Sequence, residues 1–238
     1  MLRILLFLFI IINFANTQTL LKDRYPKTEK NRPLILPKGK LEIDVGPAFM
    51  SGRDNWIQPY INVRYAITKN LEIERLGLRY RFYSNDYWQA AAVLENYGIG
   101  KSDDIIFHHS KFELESKYIS KSYYAFLIQC GYYFAQGHMS EGRNDGKSDE
   151  LRITFAMPIK LVYQTSLTVG GGIRFYDYEA YGQGTASFFK ILMCLNIVDA
   201  VDFVLEMALS SLNDPTDSVL YNESYNKQIN FRIRWRFF

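Results

Sequence analysis

The last ten residues constrain the fold most. Ile229, Phe231, Ile233, Trp235 and Phe237 are large and apolar, and Asn230, Arg232, Arg234 and Arg236 between them are strongly polar. A period of two places the two sets on opposite faces of an extended strand. Such a strand needs an apolar medium against one face and water or counter-charge against the other. Nucleic acid is not expected as a partner, because the formal net charge is only +3 and no basic cluster stands out.

The same alternation recurs along the chain. Strands are expected at Lys40 to Phe49, Ile57 to Ile67 and Leu71 to Tyr83, the third with a parity slip read as a β-bulge at Glu74-Arg75. Others are expected at Ile105 to Lys117, Tyr123 to Phe134, Leu151 to Tyr163, Leu167 to Tyr178, Phe188 to Ile197 and Val201 to Leu209. Soluble strands usually run to about five or six residues. Several of these are longer, and suit tilted strands of about nine to eleven residues that cross a membrane.

Short connections at Thr68 to Asn70, Tyr118 to Lys121, Gln164 to Ser166 and Asp199-Ala200 alternate with longer ones rich in Gly, Asn and Asp. Reading Ser84 to Asp103 as an outer loop with a short helix at Ala90 to Glu95 keeps the strand count even and the long connections on one side. The expectation is therefore all-β: a closed antiparallel transmembrane β-barrel of about ten strands, with twelve as the alternative. Closure sets Glu42 and Asp44 beside Arg236 and Arg234, as favourable cross-strand pairs.

Residues 1–17 read as a signal peptide: Arg3 precedes an apolar run from Ile4 to Phe14 that is too short to span a membrane. Residues 18–39, with Pro26, Pro33 and Pro37, read as a periplasmic N-terminal segment, and residues 40–238 as the barrel. Cys130 and Cys194 fall on opposite faces of the wall, so no disulfide is expected.

The closing strand resembles the terminal strand of bacterial outer-membrane β-barrel proteins, which end in an alternating aromatic strand with a final Phe. Here Phe238 lies one residue beyond the alternation. The resemblance implies the cell outer membrane as location, outer-membrane lipid as surroundings, and the barrel-assembly machinery as a partner through the C-terminal strand. It implies no oligomeric state. The charged faces and the aromatic clusters at strand ends, such as Tyr80 to Tyr83, favour this membrane barrel over a soluble periplasmic ligand-binding β-barrel with its apolar face inward.

On this reading Glu42, Asp44, Arg64, Glu72, Arg79, Arg81, Arg174, Lys190, Glu206, Arg232, Arg234 and Arg236 line the lumen. They either interlock as a salt-bridged plug or border a narrow path for small solutes or apolar molecules. No cofactor or metal is expected; His138, Glu141, Asp145 and Asp149 read as a solvated loop. A catalytic alternative rests on His108 and Ser110, whose His-x-Ser spacing is similar to that of outer-membrane phospholipases and lipid A deacylases. Those enzymes act on acyl esters and need an orienting Asn or Glu on a neighbouring strand; Ser122, twelve residues on, does not supply one. The ten-stranded surface proteases differ more, since Asp103 and Asp104 are adjacent rather than one residue apart.

Overall fold

The computed structural model describes residues 28–51, 55–75, 77–102, 105–139, 146–162, 164–178, 182–198, 200–210 and 227–237. The expected signal peptide, Asp103-Asp104, Glu141 and Asp145 lie outside them. The chain forms twelve antiparallel strands in one closed barrel. In order they are β1 (Leu41–Ser51), β2 (Asn55–Ala66), β3 (Leu71–Glu74), β4 (Gly77–Ser84), β5 (Trp88–Ser102) and β6 (Ile105–Ile119). They continue with β7 (Ala125–Met139), β8 (Gly146–Val162), β9 (Thr165–Tyr178), β10 (Gly182–Val198), β11 (Val201–Ser210) and β12 (Lys227–Phe237). Each strand pairs with its sequence neighbours, and β1 closes the ring against β12 with Glu42 opposite Arg236 and Asp44 opposite Arg234.

The count is twelve rather than ten for two local reasons. The stretch expected as one bulged strand over Leu71 to Tyr83 is a hairpin, with Glu72 opposite Arg79 and Glu74 opposite Gly77. Arg75 takes the left-handed backbone that a two-residue hairpin loop demands, at φ 51°, and its N–H donates to the Val63 carbonyl at 2.9 Å. A hairpin loop and a bulge shift parity alike, so alternation alone does not separate them. Gly77, just after the turn, runs close to β5: a side chain there would meet the Leu94 carbonyl at 2.6 Å.

The second reason lies in the expected outer loop over Ser84 to Asp103. Its helix is absent, and its alanines alternate in β5, with Ala91 and Val93 buried inward and Leu94 exposed outward. Helix propensity of the alanine run yields here to pairing on both sides, with β4 and β6. Asn85 makes the preceding turn tight, because its Oδ1 accepts the N–H groups of Tyr87 at 2.9 Å and Trp88 at 2.7 Å. The β4–β5 connection therefore sits at the same end as the other short turns and the two strand termini of the ring. We refer to this end as the lower one. The strand ends that flank 140–145 and 211–226, the longer intervals between strands, are at the upper end.

The wall is apolar outside and charged inside. Ile57, Phe155 and Leu94 are 67%, 62% and 58% exposed on the outer face, while Glu42, Asp44, Glu72, Glu115 and the closing arginines are buried. This is the polarity of a membrane barrel and the inverse of a soluble ligand-binding one. Aromatic side chains gather near the lower turns, where Trp88 packs on Tyr118 at 4.9 Å between ring centroids and Tyr124 on Phe126 at 5.3 Å. Cys130 faces out and Cys194 faces in, and both are free thiols.

Candidate functional site: the lumen and its inner segment

Every predicted lumen residue projects from a strand position on the inner face, and most meet an opposite charge. Across the seam Asp44 pairs with Arg234 at 2.9 Å and Glu42 with Arg236 at 3.6 Å. Asp202 of β11 joins them, 3.7 Å from Arg234 and in direct contact with Arg236. Around the wall Arg64 holds Glu72 at 2.7 Å, and Arg79 reaches Glu74 at 2.8 Å and Glu115 at 3.3 Å. Higher up, Arg232 and Lys190 converge on Glu206, the lysine at 3.1 Å, and Arg174 lies 3.8 Å from Glu150. Arg81 stands apart from these clusters, at the lower rim, where it donates to the Lys69 carbonyl and to Asn70 Oδ1. Pairing of this kind is what permits charges inside a wall that excludes lipid, since an unpartnered buried ion is costly.

Residues 28–39 occupy the lower lumen. Leu34, Ile35 and Leu36 are 7%, 1% and 1% exposed, and a turn at Thr28 to Arg32 caps them. Wall side chains satisfy the segment's backbone. Lys117 donates to the carbonyls of Glu29 at 2.9 Å and Arg32 at 2.6 Å. Arg64 and Arg79 donate to the Leu34 carbonyl at 2.9 and 3.1 Å. Gln89 accepts the Leu34 N–H at 2.9 Å, Glu72 the Leu36 N–H at 2.7 Å, and Ser166 the Glu29 N–H at 3.3 Å. Pro33 and Pro37 bring no N–H that needs a partner. The segment's own charges join the seam, Arg32 pairing with Glu42 and Glu29 with Arg234.

Sequence reading placed this segment before the first strand and did not foresee its path into the barrel. Glu29, Arg32, Lys117, Gln89 and Ser166 are the residues it missed. One signal was present: an apolar triplet, Leu34-Ile35-Leu36, between two prolines is a poor fit to a solvated tail.

Glu29, Cys194 and Asp202 bring a thiol and two carboxylates within 4.8 Å of one another. Arg234 and Arg236 already engage the two carboxylates, so the cluster is charge-balanced without a cation.

Ser110 and His108 lie in β6. Ser110 pairs across the wall with Asn96 of β5 and Phe134 of β7, and His108 with Gly98 and Gln136. Asn96, which the loop reading had hidden, is exposed on the outer face.

Several solved structures are similar to the chain. The β domain of the Bordetella autotransporter BrkA is similar over 85% of this chain and 100% of its own, at 7% identity and a TM-score of 0.50. A bacterial polysaccharide outer-membrane secretin matches 83% of the chain and 98% of its own at 12% identity and a TM-score of 0.47. The KdgM porin, solved in complex with disordered oligogalacturonate, matches 83% and 99% at 8% identity and 0.46. No protein-family model and no curated protein matches the sequence. The chain has the fold of outer-membrane β-barrels, in a twelve-stranded closed form.

Proposed function

We propose that the protein resides in the outer membrane as a narrow conduit held closed by its own residues 28–36. The observation that carries this reading is the inner segment itself: its backbone is bonded to side chains from β3, β4, β5, β6 and β9 across the lower lumen. A side-chain plug needs no such cross-lumen ties, whereas a segment that closes a passage does. The folded full chain in a planar lipid bilayer is expected to conduct little, and a variant lacking residues 28–36 to show discrete conductance steps. Mobility on an SDS gel with and without boiling checks that both are folded barrels. Full-chain conductance equal to that of the deletion would defeat the closing role. Silence of both, with both shifting on boiling, would leave a structural barrel sealed by its wall charges.

A second reading gains one observation. With Asn96 opposite Ser110, an amide stands on the strand next to the His-x-Ser pair, as outer-leaflet acyl-ester hydrolysis by His108 and Ser110 requires. Ser110→Ala and Asn96→Ala would each abolish ester hydrolysis by the detergent-solubilised barrel if this reading holds. No hydrolysis by the unaltered chain would end it.

A further inference from the structure

The wall between β2 and β5 is incomplete in its upper half. The β2–β3 pairing starts at Arg64 with Glu74, yet β2 extends nine residues above it, to Asn55. The β4–β5 pairing ends at Gly77 with Glu95, yet β5 runs on to Ser102. Among the described residues neither edge is paired in a β-ladder there. Above the Arg75 turn two strand positions are vacant. At the usual spacing of about 4.8 Å, the two positions that β3 and β4 fill below the turn correspond to roughly 10 Å of wall that no strand fills above it. Ile57, Ile61 and Val63 line the outer side of the β2 edge and Leu94 that of β5, all exposed, so the opening faces hydrocarbon.

This edge is poorly suited to an added peptide strand. The bond from Arg75 to the Val63 carbonyl shows that odd-numbered β2 residues direct their backbone groups toward the opening. The next of these are Ile61, Pro59 and Ile57. Pro59 has no N–H, which interrupts any ladder built there.

The lower sill is cationic. Arg75 Nε donates to Asn62 Oδ1 at 3.2 Å, and its guanidinium lies 5.4 Å from the centre of the Tyr60 ring, which Arg232 also covers at 4.6 Å. The nearby carboxylates make their close contacts elsewhere, Glu74 with Arg79 and Asn62 at 2.8 and 3.1 Å and Glu95 with Lys111 at 3.2 Å, and act on Arg75 only at longer range. Among the described residues Arg75 has no carboxylate salt bridge. A guanidinium with donors to spare, at the foot of an opening onto the acyl layer, matches a molecule with a carboxylate at one end and a hydrocarbon chain at the other.

We infer that the opening is a lateral binding site for a single-chain anionic amphiphile of the fatty-acid class, its carboxylate on Arg75 and its chain between the edges of β2 and β5. This rests on the outer-membrane placement proposed above and is independent of the closing role of the inner segment.

The test uses the folded full chain in an uncharged detergent, with a fluorescent polyene fatty acid as probe and its methyl ester and acetate as comparisons. The acid is expected to bind saturably, the ester weakly, and acetate to displace it only at far higher concentration. Arg75→Gln should weaken binding roughly tenfold, and Arg75→Lys less, since one charge-assisted contact is lost or kept. Both variants are first checked for the unheated SDS-gel shift. Equal binding of acid and ester, or no effect of Arg75→Gln, would overturn the assignment. Displacement by acetate at matching concentration would do the same, by making this a bare anion site. An unheated band of twice the mass, lost in Arg75→Gln, would make the occupant a second copy of the chain and overturn it too. Absence of binding by a barrel that shifts on boiling would sink the site and leave the membrane reading standing. Absence of the shift in the unaltered chain would sink both.

Discussion

Glu29 joins the inner segment to the closing strand, and its charge state decides whether they stay joined. Burial by itself would raise its carboxyl, but Arg234, Arg32 and Lys117 outweigh burial and hold it well below its ordinary value of 4.5. A carboxyl depressed in the docked state stabilises docking at all pH above the ordinary value, and that contribution is lost as pH falls through the lowered one. Conductance of the full chain is therefore expected to stay low from neutral pH down to about pH 5 and to rise only in stronger acid. Glu29→Gln should loosen docking at neutral pH by about 1–3 kcal/mol, because Arg234 keeps Asp44 while losing one charged partner. The same variant should flatten the acid response. Conductance recorded from pH 8 downward in both chains checks this, and an unchanged acid response in Glu29→Gln would show that another group controls release. Arg75 shows at this same scale what residue type conceals. An arginine at positive φ in a hairpin loop lacks the Asn or Gly by which such loops are read.

Among elements, those with strict alternation were legible and those ruled by partners were not. The closing strand, β8 and β9 lie where their apolar periodicity puts them, and the β1–β12 seam carries the charge pairs that closure demands. The β3–β4 hairpin was hidden because its first arm, β3, is only four residues long, shorter than the window over which parity is judged. β5 was hidden because Ala90 to Ala92 carry little contrast between faces, so neighbouring strands decide their conformation. The inner segment was hidden for a third reason. The polar residues around its apolar triplet suit water, and the lumen that receives it offers polar side chains too, with bonds to its backbone from Lys117, Arg64 and Gln89.

At the scale of the whole molecule the two native thiols report on the wall. Cys130 stands on the outer face, its cross-strand neighbours Leu114 and Ile153 exposed beside it, and Cys194 is 2% exposed in the lumen. In sealed lipid vesicles a charged maleimide is expected to label neither. An apolar maleimide should label Cys130 alone, and Cys194 should react once residues 28–36 are deleted or the protein is boiled in SDS. Mass spectrometry of the labelled peptides checks each case. Labelling of Cys130 by the charged reagent in vesicles would place that face in water.

Arg234 touches both Asp44 near the beginning of the barrel and Glu29 ahead of it. One guanidinium thus fastens two things at once: its loss is expected to loosen the seam of the ring and the segment inside it together, so that a wall poorly sealed is also a lumen poorly stoppered.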